Sequence, residues 1–148
     1  MMALAGNLIL ASVMVIFTVI VHFLGLLVLL RLLGSHGRMV DHWHTVARQC
    51  ALLIMAVLGI VFLHTIEIWS YALLFMALGA VEGLEPALYF STVSFSSLGY
   101  GDIVLSERWR LLGAIEAPNG LILFGWSTAF LLSLMGKLRA LEHDWLER

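Results

Sequence analysis

The sequence predicts an all-α integral membrane protein with three long membrane-spanning helices and a short re-entrant segment between the second and the third. Composition is the first observation behind this. Of the 148 residues, 61% are hydrophobic and 12% charged, against about 45–50% apolar and about 25% charged in an average soluble domain; mean hydropathy is +1.00. The second is arrangement: apolar residues gather over residues 8–33, 50–81 and 111–136, each run longer than the roughly 20 residues that cross a bilayer as helix. The third is the stretch from Leu84 to Val104, too short to cross and return as two helices and polar at its end.

The first run does not read as a signal peptide. No Lys or Arg precedes it, it is too long, and no small-x-small cleavage site follows. A net charge of −2 with singly scattered basic residues gives no nucleic-acid footprint. Cys50 is the only cysteine, which excludes an intrachain disulfide and a cysteine-based metal cage. There is no internal repeat or flexible linker, no nucleophile and base pair, no His-Glu-x-x-His string and no phosphate-binding loop, so an enzyme is not expected.

Orientation follows from Lys and Arg in the short flanking segments. The N-terminal tail has none, the first connection carries Arg31, Arg38 and Arg48, the second polar region has Arg108 and Arg110, and the C-terminal tail has Lys137, Arg139 and Arg148. By the positive-inside rule the first connection and the C-terminus are cytoplasmic, with the N-terminus and residues 82–109 outside, in a plasma or inner membrane.

Within the re-entrant segment, Glu85-Pro86 reads as a helix start, since proline suits the first turn and an acid there complements the dipole. Nothing from Pro86 to Ser96 breaks a short helix. Gly99-Tyr100-Gly101-Asp102 follows, with glycines flanking a residue where ordinary side chains would restrict the backbone.

The run Ser97-Leu98-Gly99-Tyr100-Gly101-Asp102 resembles the pore-loop potassium channels, whose filter reads Thr-Val-Gly-Tyr-Gly-Asp. The resemblance covers the second span through the third and departs at Ser97, usually threonine, and Leu98, usually valine or isoleucine. It implies a pore helix over residues 86–96 and a selectivity filter over 97–102. The filter's ion-binding residues would be Ser97, Leu98, Gly99, Tyr100 and Gly101, with K+ held by the first four carbonyls and the Ser97 hydroxyl at the innermost site. Tyr89, Phe90, Ser94 and Asp102 would support it. One filter per chain implies a homotetramer in the bilayer, with potassium ions as the permeant ligand and no other cofactor. The implied organisation is a peripheral helix (1–33), a cytoplasmic interfacial connection (34–49), a pore domain (50–136) and a short cytoplasmic tail (137–148). A non-conducting or weakly selective membrane subunit that modulates a partner is the competing function.

Beyond the filter, Gly120, Gly125 and Pro118 are candidate hinge positions in the third span, although glycines also permit close helix packing. Asn119 is a candidate polar residue facing the cavity. His22, His64 and Glu67 fall near mid-membrane, where ionisable groups are usually paired; they are expected to meet, either as proton-sensitive groups or as interhelical glue. Glu116 is expected behind the filter, either bonding Ser91 or Thr92 or standing as a partly hydrated interfacial side chain. Trp69, Tyr71 and Trp109 read as packing or interface anchors. Asp41, His42 and His44 around Trp43 read as an amphipathic interfacial segment rather than a metal site, and Leu138, Leu141 and Trp145 as an apolar stripe on the tail. No span carries arginine at every third position, so a voltage sensor of the usual design is absent.

Overall fold

Four helices follow one another in the computed structural model, which describes residues 2–39 and 45–146, with side chains over 4–35 and 46–137. They are α1 (Met2–Met39), α2 (Thr45–Ala77), α3 (Leu84–Phe95) and α4 (Arg110–Leu146). No strand occurs among the described residues, and α1, α2 and α4 are each long and apolar enough to cross a membrane. Asp41, His42, Trp43 and His44 lie outside the described residues, as do the side chains of Leu138, Leu141 and Trp145.

Each long helix is apolar on all sides, as a spanning helix must be, so burial rather than hydropathy marks its inner face. On α1 that face runs through Asn7, Ala11, Met14, Thr18, His22, Leu26, Leu29 and Leu33, at steps of three and four residues. Such an apolar helix has no hydrophobic drive toward its neighbours within lipid, and association rests on close packing and interhelical hydrogen bonds. A Cβ on Gly25 of α1 would stand 2.4 Å from Leu63 of α2, and one on Gly59 of α2 would stand 2.5 Å from Leu29 of α1. The two leucines therefore seat reciprocally over the two glycines.

The second apolar run extends to residue 81, but α2 ends at Ala77. Gly79 takes a φ of 62°, and the N–H groups of Gly79 and Ala80 fold back onto the carbonyls of Met76 and Phe75 at 3.0 and 2.8 Å. This is a Schellman cap, which stops a helix through a left-handed residue that glycine adopts without strain. After the turn, α3 begins two residues before the expected Pro86, with Glu85 in its first turn. Pro86 loses nothing there, because first-turn N–H groups have no intrahelical acceptor.

The short α3 packs between α2 and α4, while α1 packs on α2 and α4. Two glycines let α4 approach. A Cβ on Gly113 would lie 2.9 Å from the Phe90 ring, and one on Gly120 would lie 2.0 Å from the Phe95 carbonyl oxygen. One apolar cluster, including Tyr71, Phe75, Phe95, Leu112 and Leu123, surrounds α3. A second, including Leu26, Leu29, Ala56 and Leu63, joins the other halves of α1 and α2. Buried polar residues occupy the layer between them.

Candidate functional site

The chain leaves α3 through Ser96 and enters a loop whose backbone alternates in hand. Ser97, Gly99 and Gly101 have φ values of 60°, 59° and 75°, and the intervening Leu98 and Tyr100 do not share the positive sign. Glycine takes such torsions freely, whereas Ser97 does so at a cost of about 1 kcal/mol or more. Alternating hand turns successive carbonyls to one side and successive N–H groups to the other. Here the N–H groups of Ser97, Leu98 and Gly99 turn back on the end of α3, bonding Ser94 O at 2.9 Å and Val93 O at 3.0 and 3.4 Å. Among the described residues, no hydrogen bond reaches the carbonyls of Ser97, Leu98, Gly99 or Tyr100. The Ser97 hydroxyl donates to Ala117 O on α4 at 3.4 Å.

The loop is held from outside and from behind. Outside, the Tyr89 hydroxyl donates to Asp102 Oδ2 at 2.6 Å. This bond holds the Asp102 carboxyl below the usual carboxylate range and pushes the Tyr89 phenol above its usual value. Asp102 also accepts from the Ile103 N–H at 3.0 Å, closing the turn after Gly101. Behind the loop, Ser94 donates to Gly113 O at 2.9 Å, and Phe90 packs edge-on to Phe75. Ser91 Oγ lies 2.9 Å from Ile68 O and 2.5 Å from Glu116 Oε1. A hydroxyl has one hydrogen, so it donates to only one of these two oxygens at a time. One serine thus joins α2, α3 and α4 at a point. The expected alternative partner, Thr92, is exposed and bonds Leu88 O within its own helix.

Deeper in the bundle, His22, His64 and Glu67 are brought together. His22 Nδ1 lies 2.9 Å from Glu67 Oε1, and His64 Nδ1 lies 2.8 Å from Glu67 Oε2. Sequence reasoning missed the fourth member, Ser127 of α4, whose Oγ is 3.0 Å from His64 Nε2 and 3.4 Å from His22 Nε2. A serine in an apolar helix carries no signal of its own, and only the fold sets it opposite His64. Asn119, expected to face a cavity, is buried instead. Its amide donates to Thr18 at 2.8 Å and to Tyr71 at 3.1 Å, so it ties α4 to α1 and α2. Tyr71 is accordingly a core residue, while Trp69 is exposed and Trp109 carries the Arg108 guanidinium over its ring. Nothing lies within 4 Å of a Cβ built on Gly125, and Pro118 sits inside an unbroken α4. At the opposite end from the first connection, the Asn7 side chain donates to Arg108 O, setting the start of α1 beside the segment that leads into α4.

Three apolar spanning helices with a short helix and a structured loop between the last two define a multi-pass membrane protein. The family model described as Ion channel matches residues 50–137, more than half of the chain, and the protein belongs to that family. The match runs from α2 through α3 and the loop into α4, and leaves α1 outside it. No curated protein and no solved structure is significantly similar to the chain.

Proposed function

We propose that the protein is a subunit of a potassium-selective channel, in which four copies place the loop of residues 97–101 around one axis. The observation that carries this is the alternation of backbone hand at Ser97, Gly99 and Gly101, with the carbonyls of residues 97–100 left without hydrogen-bond donors. A potassium ion gives up its water only where oxygens replace it, and stacked rings of carbonyls supply them. In this reading α3 is the pore helix. Its negative C-terminal end points toward a water-filled cavity and favours a cation there. Ser97 through Gly101 form the filter, buttressed by Tyr89, Phe90, Ser94 and Asp102, and the Ser97 lone pairs complete the innermost site.

Fourfold assembly is supported by what one chain leaves uncovered. Leu98, Tyr100 and Val104 are 57%, 66% and 80% exposed, an arrangement that requires neighbouring chains if the loop is to be rigid. In this reading the N-terminus and the loop lie outside and the C-terminus in the cytoplasm, which the positive-inside distribution supports, in keeping with Asn7 and Arg108 meeting at one end. Gly125, with open space around it, is the better placed of the two glycines to act as a hinge, and Gly120 is held by packing.

Potassium-loaded vesicles containing the purified protein test this proposal. The expected result is potassium flux that barium blocks. No flux from a folded, inserted protein would favour the competing role as a non-conducting subunit.

A further inference from the structure

His22, Glu67, His64 and Ser127 close a ring of four contacts across α1, α2 and α4. Its sides are His22 Nδ1 to Glu67 Oε1 at 2.9 Å, Glu67 Oε2 to His64 Nδ1 at 2.8 Å, His64 Nε2 to Ser127 Oγ at 3.0 Å, and Ser127 Oγ to His22 Nε2 at 3.4 Å. A complete ring needs one hydrogen in each contact. A neutral glutamic acid, two neutral histidines and a serine hydroxyl carry one hydrogen each, so supply and demand match. Moving a hydrogen from Glu67 to a histidine makes an ion pair but changes neither the count nor the zero net charge. The complete ring is therefore the net-neutral form, whichever way its hydrogens are arranged.

Any other count is unfavourable. One hydrogen fewer leaves two lone pairs facing each other and a net negative charge. One more displaces the Ser127 hydrogen from the ring and leaves a net positive charge. His22 and Glu67 are fully buried and His64 nearly so, in the middle layer of three spanning helices, where an uncompensated charge is strongly disfavoured.

We propose that this ring is a binding site for a single exchangeable proton, and that holding the proton clasps the peripheral helix α1 to α2 and α4. Among the described residues, the other titratable groups facing it from the packed helices are Tyr71 on α2 and Glu116 on α4. Each has its own partner outside the ring, Asn119 and Ser91. α1 brings only His22 and α3 none; the remaining neighbours are the rings of Phe95, Phe124 and Trp126. His22, His64 and Glu67 also have the composition of a metal site, with ligand atoms within 4.8 Å of one another. The fourth member, Ser127, closes the ring on both histidines and belongs to the proton reading alone, and zinc addition separates the two.

Thermal unfolding of the full chain in detergent, followed across pH, tests the proposal without reference to ion flow, so it stands or falls apart from the conduction reading. The expected curve for the unaltered protein has a maximum with loss of stability on both flanks. Ser127→Ala removes two sides of the ring and should lower the maximum by several degrees and flatten the flanks; Ser127→Thr, which keeps the hydroxyl, should restore both. A curve that only rises or only falls, or one that Ser127→Ala leaves unchanged, overturns the proposal. Stabilisation by zinc ion alone that His22→Gln abolishes would also overturn it, assigning the cluster to a metal. If Ser127→Ala does not fold, the curve of the unaltered protein decides alone.

Discussion

The Phe95 carbonyl oxygen at the end of α3 lies where a side chain on Gly120 would have to stand, 2.0 Å from an ideal Cβ. The contact is with backbone, so no rotamer change relieves it. Gly120→Ala must push α4 away from the helix that leads into the loop, and a cost of about 1–3 kcal/mol is expected. Gly125→Ala meets open space and should be neutral, or stabilising by up to about 1 kcal/mol through helix propensity. Thermal melting of the two variants side by side measures the difference; equal effects would remove the packing role assigned to Gly120.

The bond from Tyr89 to Asp102 makes a prediction about pH. Because Tyr89 lowers the Asp102 carboxyl in the folded state, its contribution is present above the unfolded carboxylate value and is lost as pH falls through the folded one. Tyr89→Phe should therefore raise the pH at which Asp102 protonates, moving the acid limb of the flux profile toward neutral. Asp102→Asn should remove that limb's dependence on Tyr89 altogether. An acid limb in the same place in Tyr89→Phe as in the unaltered protein would show that the bond does not govern the loop.

Glu116 and Ser91 should behave as a coupled pair. Glu116→Gln keeps the size of the side chain and an oxygen that can accept from Ser91, so a loss below about 1 kcal/mol is expected. Glu116→Ala leaves a cavity and removes the α4 partner of Ser91, whose hydroxyl keeps only Ile68 O, at about 2–4 kcal/mol. A double-mutant cycle with Ser91→Ala should return a coupling between about 0.5 and 3 kcal/mol. A coupling near zero would mean that the 2.5 Å contact holds nothing together.

Much of this was legible in the sequence because its causes are local. Bilayer-length apolar runs announce spanning helices, Glu85-Pro86 announces the start of a short one, and Gly99 and Gly101 mark backbone that only glycine adopts freely. The meeting of His22 with Glu67 was also foreseeable, since a mid-membrane ionisable group needs a partner and few were on offer. What escaped depends on rotation about helix axes, which hydropathy does not encode in a helix apolar all round. Asn119 turned toward Thr18 and Tyr71 rather than a cavity, and Ser127 came opposite two histidines. The end of α2 at Ala77 was not legible for a different reason: Gly79 lies within an apolar run, and its capping role appears only once Ala80 folds back on Phe75.

Replacement of water around potassium by the carbonyls of residues 97–100 would show in the reversal potential of the reconstituted protein, with potassium on one side of a bilayer and sodium on the other. The expected result is a reversal far from zero, toward the potassium equilibrium potential, and loss of that current in Gly99→Ala, where a side chain opposes a φ of 59°. A current reversing near zero, or one that Gly99→Ala leaves unchanged, would contradict it.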